Sequence, residues 1–383
     1  MRNAGGAATG MQRPEPPGSR AALLMPAAIA LLAFAARLYG LGDKPFWLDE
    51  LASLHRATVS LPELAVNSLH ADHYPSYFVL LWLIAKLGTS QWLLRLPSAL
   101  FGALAACTAY AIGRAASSTR SGSVAGLLMA LSPFQVQFGQ ETRPYTLVTW
   151  LILVALWGLV RLARDPQAAT LPLRATNAPH SAWLAYGIGT AAALDVLNVA
   201  VPWLGAANIA ALVIGQAAGD VKRGFWRNWI YVQLAIVAAW APMLIAVYVA
   251  RKSAIIDEVG WSWPATRETI RSIVGPVYLL RISNFIVSGM APATVPALSL
   301  VIAALTAIGV WRLRRRPVVF AVLGAATLIQ PVSLGLVSLF VPVLVPRYFL
   351  WSAGPFFVLA GVGLEQFFRE PLSRVRFAVL GSR

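Results

Sequence analysis

Ten stretches of this chain are apolar over roughly the length that crosses a lipid bilayer. They lie near 22–41, 93–113, 121–138, 145–163, 182–197, 199–217, 229–250, 294–311, 318–343 and 347–368, each bounded by Arg, Lys or a Pro/Gly break. About 20 apolar residues in a helix span a hydrocarbon core of about 30 Å. Hydrophobic residues make up 58% of the chain and charged residues 12%, with a mean hydropathy of +0.66, whereas a soluble domain is about a quarter charged. We therefore read an all-α polytopic membrane protein with about ten transmembrane helices. An eleventh apolar stretch, 75–87, contains Lys86 and is too short to cross comfortably.

The status of 75–87 decides the topology. If it does not cross, the loops on the side of both termini hold 19 of the 31 Lys and Arg and only five of the 15 acids. If it does cross, every later loop flips and the positive-inside bias reverses. We read 75–87 as half-inserted or interfacial, with both termini cytoplasmic. Residues 1–20, rich in Gly, Ala and Pro, are expected to be a disordered tail in which Met11 competes with Met1 as the start, and 371–383 a second cytoplasmic tail. Between them, 21–370 forms the transmembrane domain. Ala33-Phe34-Ala35 resembles a signal-peptide cleavage site, but the apolar run continues past it, which favours a retained anchor.

A net charge of +16 invites a nucleic-acid partner. The basic residues sit between apolar runs rather than along one surface, so topology explains them and no nucleic acid is expected. Cys107 lies alone inside an apolar run, which excludes a disulfide framework or a Cys-based metal site.

Ten of the 15 acids fall on the outer side. Two long outer loops carry most of them, 42–92 and 251–293. In the first, Ser60-Leu61-Pro62-Glu63 has the form of a capping box and predicts a short interfacial helix over 61–70. In the second, Trp261 and Trp263 suit the headgroup region, followed by a helix-competent stretch at 265–274.

The first loop also opens on Phe46-Trp47-Leu48-Asp49-Glu50-Leu51. Neighbouring residues do not share a face, so one carboxylate can meet a substrate while the other holds the loop. Asp49 is the candidate general base, with Glu50 in support. Both acids would equally complement a helix N-terminus. Asp72-His73-Tyr74-Pro75 closes the loop, with Asp72 and His73 as substrate contacts or as a cap beside an interfacial His. Gln140-Glu141-Thr142-Arg143-Pro144-Tyr145 puts an acid, a cation and a phenol at the outer junction of two spans, as a polar site or a local ion pair. Arg347 and Tyr348 open the last span, where the guanidinium can clamp a lipid phosphate or simply snorkel. Arg281, Lys86, Arg251 and Lys252 are weaker candidates for the phosphate.

With these pieces in order, the chain resembles the GT-C-fold glycosyltransferases that use polyprenyl-phosphate sugars, the superfamily of protein O-mannosyltransferases (glycosyltransferase family 39) and bacterial aminoarabinose transferases. The resemblance is carried by Trp47-Leu48-Asp49-Glu50, Asp72-His73-Tyr74-Pro75, Leu94-Arg95-Leu96-Pro97-Ser98-Ala99-Leu100, Gln140 to Tyr145, and Arg347-Tyr348. It implies a site under the first outer loop, inversion at the anomeric carbon, Asp49 as proton acceptor and Glu141 holding acceptor or sugar. Tyr74-Pro75-Ser76 departs from the His-Pro-Pro common in relatives, and no large extra domain of the eukaryotic kind is expected, which argues against a protein acceptor.

The expected activity is hexosyl or pentosyl transfer from a polyprenyl-phosphate sugar to a lipid, envelope-glycan or protein acceptor, on the outer face of a bacterial inner membrane. Cofactors beyond the lipid-linked donor are not firmly implied, and a divalent metal stays open, although no metal-ligand set is assigned. The rival readings are a transporter or flippase of a lipid-linked sugar and a non-catalytic membrane scaffold. Acids gathered at one rim, with few charges in mid-span, favour the enzyme.

Overall fold

The computed structural model describes residues 20–70, 73–253, 296–339 and 345–369. Asp72, Arg281, most of the second long outer loop and both expected tails lie outside them, apart from Arg20 at the end of the first. Every described element is helical: α1 (Arg20–Leu38), α2 (Leu48–Thr58), α3 (Leu61–His70), α4 (Pro75–Ala85), α5 (Gln91–Ala116), α6 (Thr119–Leu131), α7 (Pro133–Phe138), α8 (Tyr145–Arg164), α9 (His180–Val196), α10 (Val201–Ala217) and α11 (Lys222–Ser253). Then come α12 (Pro296–Leu313), α13 (Pro317–Val337), a 3-10 segment (Pro346–Ser352) and α14 (Ala353–Arg369).

Each of the ten apolar runs holds a helix among its described residues. Among the described residues, six helical segments are long and apolar enough to cross a membrane on length and composition: Gln91–Ala116, Tyr145–Arg164, Asn198–Ala217, Gly219–Ala250, Pro317–Val337 and Pro346–Phe367. The large exposed side chains support the same medium. Ile230, Tyr231, Leu234, Val237, Ile245 and Val249 of α11 all face outward, a surface that lipid solvates and water does not.

One expected span is broken. The run 121–138 divides at Ser132-Pro133 into α6 and α7, because Pro133 has no N–H to continue α6 and the Ser132 hydroxyl accepts from the Gln135 N–H, 3.4 Å, to start a new helix. The interfacial stretch appears as α4, only 11 residues long. At 1.5 Å per residue it covers about 16 Å, roughly half a hydrocarbon core. The predicted helix 61–70 is α3.

In lipid, helices gain nothing from hiding apolar faces from water, so they associate by close packing of small residues. A methyl placed on Gly113 of α5 would stand 2.8 Å from the Cα of Gly122 in α6. Gly309 of α12 and Gly363 of α14 make the tightest crossing, each lying against the other helix's backbone at Leu359 and Leu305. α5 sits at the centre, packed on α1, α6, α8 and α14, while α8 is flanked by α9, α13 and the 3-10 segment.

The bundle has two polar ends. At one, the turn after α1, helices α2 to α4, the turn between α7 and α8, and the 3-10 segment meet. At the other, Ser117 and Ser121 donate to the buried Glu365 carboxylate (2.9 and 2.5 Å), and Arg316 donates to the Ala116 carbonyl, 3.1 Å. Overpacking a tight backbone crossing costs about 1–3 kcal/mol or more. Gly363→Val is therefore expected to lower the thermal unfolding midpoint in detergent clearly. Gly324→Ala, on α13 with open space around it, is expected to leave it unchanged.

Candidate active site

The first polar end is built around a guanidinium inside the membrane domain. Arg95, one turn into α5 and 3% exposed, uses all five of its donors. Nε and Nη2 grip the Glu50 carboxylate at 2.8 and 2.7 Å, Nη1 reaches the carbonyls of Leu41 and Lys44 at 2.9 Å each, and Nη2 also reaches the Pro45 carbonyl at 3.2 Å. The fork geometry of Arg suits this paired recognition. Glu50 in turn accepts from the Trp47 N–H at 3.4 Å, closing the first turn of α2, and from the Thr142 N–H at 2.8 Å. Its carboxylate thus joins α2, α5 and the α7–α8 turn.

That turn is held from three further directions. The Gln140 side-chain amide donates to the carbonyls of Arg37 and Tyr39 (3.1 and 2.7 Å), and the Ser98 hydroxyl donates to the Arg143 carbonyl, 3.1 Å. Arg37 itself is fully buried between Gly102 and Gly139, donating to the carbonyls of Ala33, Met129 and Ala130.

With Glu50 fixed, Asp49 is turned out of the packed interface. Its side chain is 29% exposed, and its carboxylate faces two guanidiniums, Arg347 at 3.6 Å and Arg143 at 3.9 Å. Arg143 also donates to the Asp49 carbonyl (3.3 Å), the Ser53 hydroxyl (3.4 Å) and the Tyr145 hydroxyl (3.3 Å). The Tyr145 ring lies near both cations, 5.5 Å from the Arg143 guanidinium and 6.0 Å from that of Arg347, which also stands 5.7 Å from the Tyr348 ring. The 3-10 segment carrying Arg347 and Tyr348 is tied down by the Gln330 amide, which donates to the Tyr348 carbonyl, 2.8 Å.

Glu141 completes the cluster. Burial, and then the neighbouring Glu50 carboxylate, push its carboxyl up to about 7, against the pull of Arg143 and Arg347. Its Oε2 is buried with no hydrogen-bond partner among the described residues. This leaves a carboxyl able to carry or release a proton near neutral pH.

Seven of the singled-out residues thus share one pocket: Asp49, Glu50, Glu141, Arg143, Tyr145, Arg347 and Tyr348. His73 lies beside it, its ring 6.0 Å from Phe78. The Arg56 guanidinium covers the same Phe78 ring at 4.9 Å, and burial followed by repulsion from Arg143 holds its pKa down. Sequence reasoning passed over Arg56 and gave Arg95 no role, although a cation one turn inside an apolar run signals a buried polar partner. Where relatives carry His-Pro-Pro, Ser76 donates to Asp195 of α9, at 3.0 Å to the carbonyl and 2.5 Å to the carboxylate. The departure pins α4 to α9.

Residues 72–246 match the family model for dolichyl-phosphate-mannose-protein mannosyltransferase, a segment that includes Glu141, Arg143 and Tyr145. A search of curated proteins returns no match. Among solved structures, the chain is similar to apo ArnT from Cupriavidus metallidurans, with a TM-score of 0.61 and 16% identity over 93% of this chain and 61% of that one. It is also similar to the oligosaccharyltransferase AglB from Archaeoglobus fulgidus in complex with an inhibitory peptide and a dolichol-phosphate (TM-score 0.54, 13% identity, 94% and 52% covered). The same archaeal enzyme in complex with Zn and sulfate matches similarly (TM-score 0.54, 13% identity, 93% and 50%). The fold is GT-C, in a multi-pass membrane protein resembling glycosyltransferases of that class. The chain spans only half to three fifths of the solved structures it matches.

Two measurements probe the site's electrostatics. Breaking a buried pair by removing one partner costs about 3–5 kcal/mol, so Arg95→Met should destabilise strongly while a surface change such as Arg120→Gln should not. Glu141 has a raised folded-state pKa, so it binds its proton more tightly folded than unfolded. Stability is therefore lost as pH rises from the usual carboxyl value near 4.5 toward 7. Glu141→Gln should flatten the melting profile across that window, gaining over wild type at pH 8 but not at pH 4.

Proposed function

We propose that the chain is an inverting glycosyltransferase that moves a monosaccharide from a polyprenyl-phosphate donor to an acceptor hydroxyl. The observation that carries this is Asp49, a water-reached carboxylate facing the guanidiniums of Arg143 and Arg347. Displacement at an anomeric carbon needs a base for the incoming hydroxyl and cations for a departing phosphate, which requires no general acid. Asp49 takes the acceptor proton as the new glycosidic bond forms. The bond from the anomeric carbon to the phosphate oxygen breaks on the opposite side, and the lipid phosphate leaves with its electron pair onto Arg347, beside Tyr348. Arg143 and Tyr145 contact sugar or acceptor, Glu141 holds a hydroxyl through its proton near neutral pH, and Glu50 acts by fixing Asp49. His73, with Asp72 next to it in sequence, borders the acceptor side.

The reading extends to an active site on the outside of a bacterial inner membrane, both termini being cytoplasmic, on the strength of the positive-inside bias. It takes a hexosyl or pentosyl donor and a lipid, glycan or protein acceptor. A divalent metal fits the residues poorly. Among the described residues no three His, Cys, Asp or Glu converge, and Asp49 already faces two cations.

The test is transfer by the reconstituted protein from a labelled polyprenyl-phosphate sugar. A general base contributes about 10²–10⁴-fold, so Asp49→Asn should reduce turnover by that much at unchanged expression and melting temperature. Arg347→Gln should weaken donor use more than acceptor use. Full transfer by Asp49→Asn, or sugar crossing the vesicle membrane with no new glycosidic bond, would overturn the reading.

A further inference from the structure

Away from this site, the outer faces of α5, α8 and α9 leave an apolar groove of about 310 Å³, lined by Thr108, Ala111, Trp150, Val154, Trp157 and Ala185 among others. Trp150 and Trp157 lie five and twelve residues beyond Tyr145, about 8 and 18 Å along α8, so the groove sits at mid-membrane depth. Phe101 stacks on Trp150 at 5.5 Å and closes its upper end.

The lower end is charged. Trp150, Val154, Trp157, Arg161 and Arg164 follow at intervals of four, three, four and three, which is one continuous face of α8. Both arginines are exposed, and the Arg161 guanidinium lies 5.4 Å from the ring of Trp157, a groove wall. Arg316 adds a third cation nearby, anchored on the end of α5. At this end Glu365 accepts from Ser117 and Ser121, and Asp165 from the Ala168 N–H at 2.9 Å. Among the described residues neither Arg161 nor Arg164 has a carboxylate partner.

We propose that this groove, with Arg161 and Arg164, binds one anionic glycerophospholipid of the surrounding bilayer. An acyl chain lies along the groove between α5 and α8, and the headgroup phosphate takes paired donors from the two guanidiniums. An apolar trough at mid-depth that runs into two exposed cations, neither paired with a carboxylate among the described residues, matches the two ends of such a lipid. The site is distinct from the one around Asp49. α8 separates them by twenty residues, about 30 Å, so its phosphate cannot be the one at Arg347, and the inference stands apart from glycosyl transfer. A lipid seated there would fasten α8 and α9 to α5 from the outside.

The full chain in detergent, titrated with phosphatidylglycerol, with phosphatidylcholine of the same acyl chains, or with inorganic phosphate, tests this by native mass spectrometry and thermal unfolding. One phosphatidylglycerol should stay bound and raise the midpoint, phosphatidylcholine should bind more weakly, and phosphate alone should do neither. With about 1 kcal/mol per cation near a lipid headgroup, the double variant Arg161→Gln/Arg164→Gln should bind phosphatidylglycerol about thirtyfold more weakly. Ala185→Phe, which fills the groove and keeps both cations, should also lose the bound lipid. Equal binding of the two lipids by the wild type overturns the proposal even if a variant fails to fold. So does unchanged phosphatidylglycerol binding by either folded variant.

Discussion

The Arg95–Glu50 pair is the constraint on which the polar end of this bundle depends. An ion pair under lipid returns its desolvation only when geometry and remaining hydrogen bonds are complete. Here they are, since five donors meet five acceptors drawn from α2 and the turn after α1. The same carboxylate then receives the Thr142 N–H from a third segment. Asp49 owes its exposure to this arrangement. It is the neighbour of a residue that cannot move, on a helix whose next position points elsewhere.

The other half of the pocket is assembled by cations rather than acids. Arg143 and Arg347 come from segments some 200 residues apart, yet both flank the Tyr145 ring and both face Asp49. The ring attracts both guanidiniums without removing their charge, and both reach the same Asp49 oxygen. Glu141 sits among two carboxylates and two guanidiniums that act in opposite directions, and burial is the largest influence on its protonation.

Much of the architecture is legible in the sequence, because in lipid the length of an apolar run is nearly the whole of the secondary-structure problem. The ten runs are helices, and Ser60 to Glu63 does open α3. The break at Ser132-Pro133 is written in the chain as well, but an unbroken hydropathy profile masks it. What no local pattern conveys is pairing. Arg95 reads as a boundary cation of its run, and only the fold brings it to Glu50, 45 positions earlier. Arg37 and Arg56 escape notice for the same reason, since their partners are carbonyls and a phenyl ring from other helices. The clustering of Asp49, Glu141 and Arg347 depends on the turn between α7 and α8, and although Gln140 and Ser98 lie in stretches that carry the resemblance, nothing local in those stretches says that they anchor this turn.

Arg37 has a consequence for how the chain is made. Its guanidinium is buried with only main-chain oxygens for company, two of them contributed by α6, which the ribosome synthesises some ninety residues later. A lone cation at that depth is costly. Arg37 lies in the last turn of α1, so its head can snorkel to the interface until α6 packs against it, and its burial marks the closure of α1 on α6.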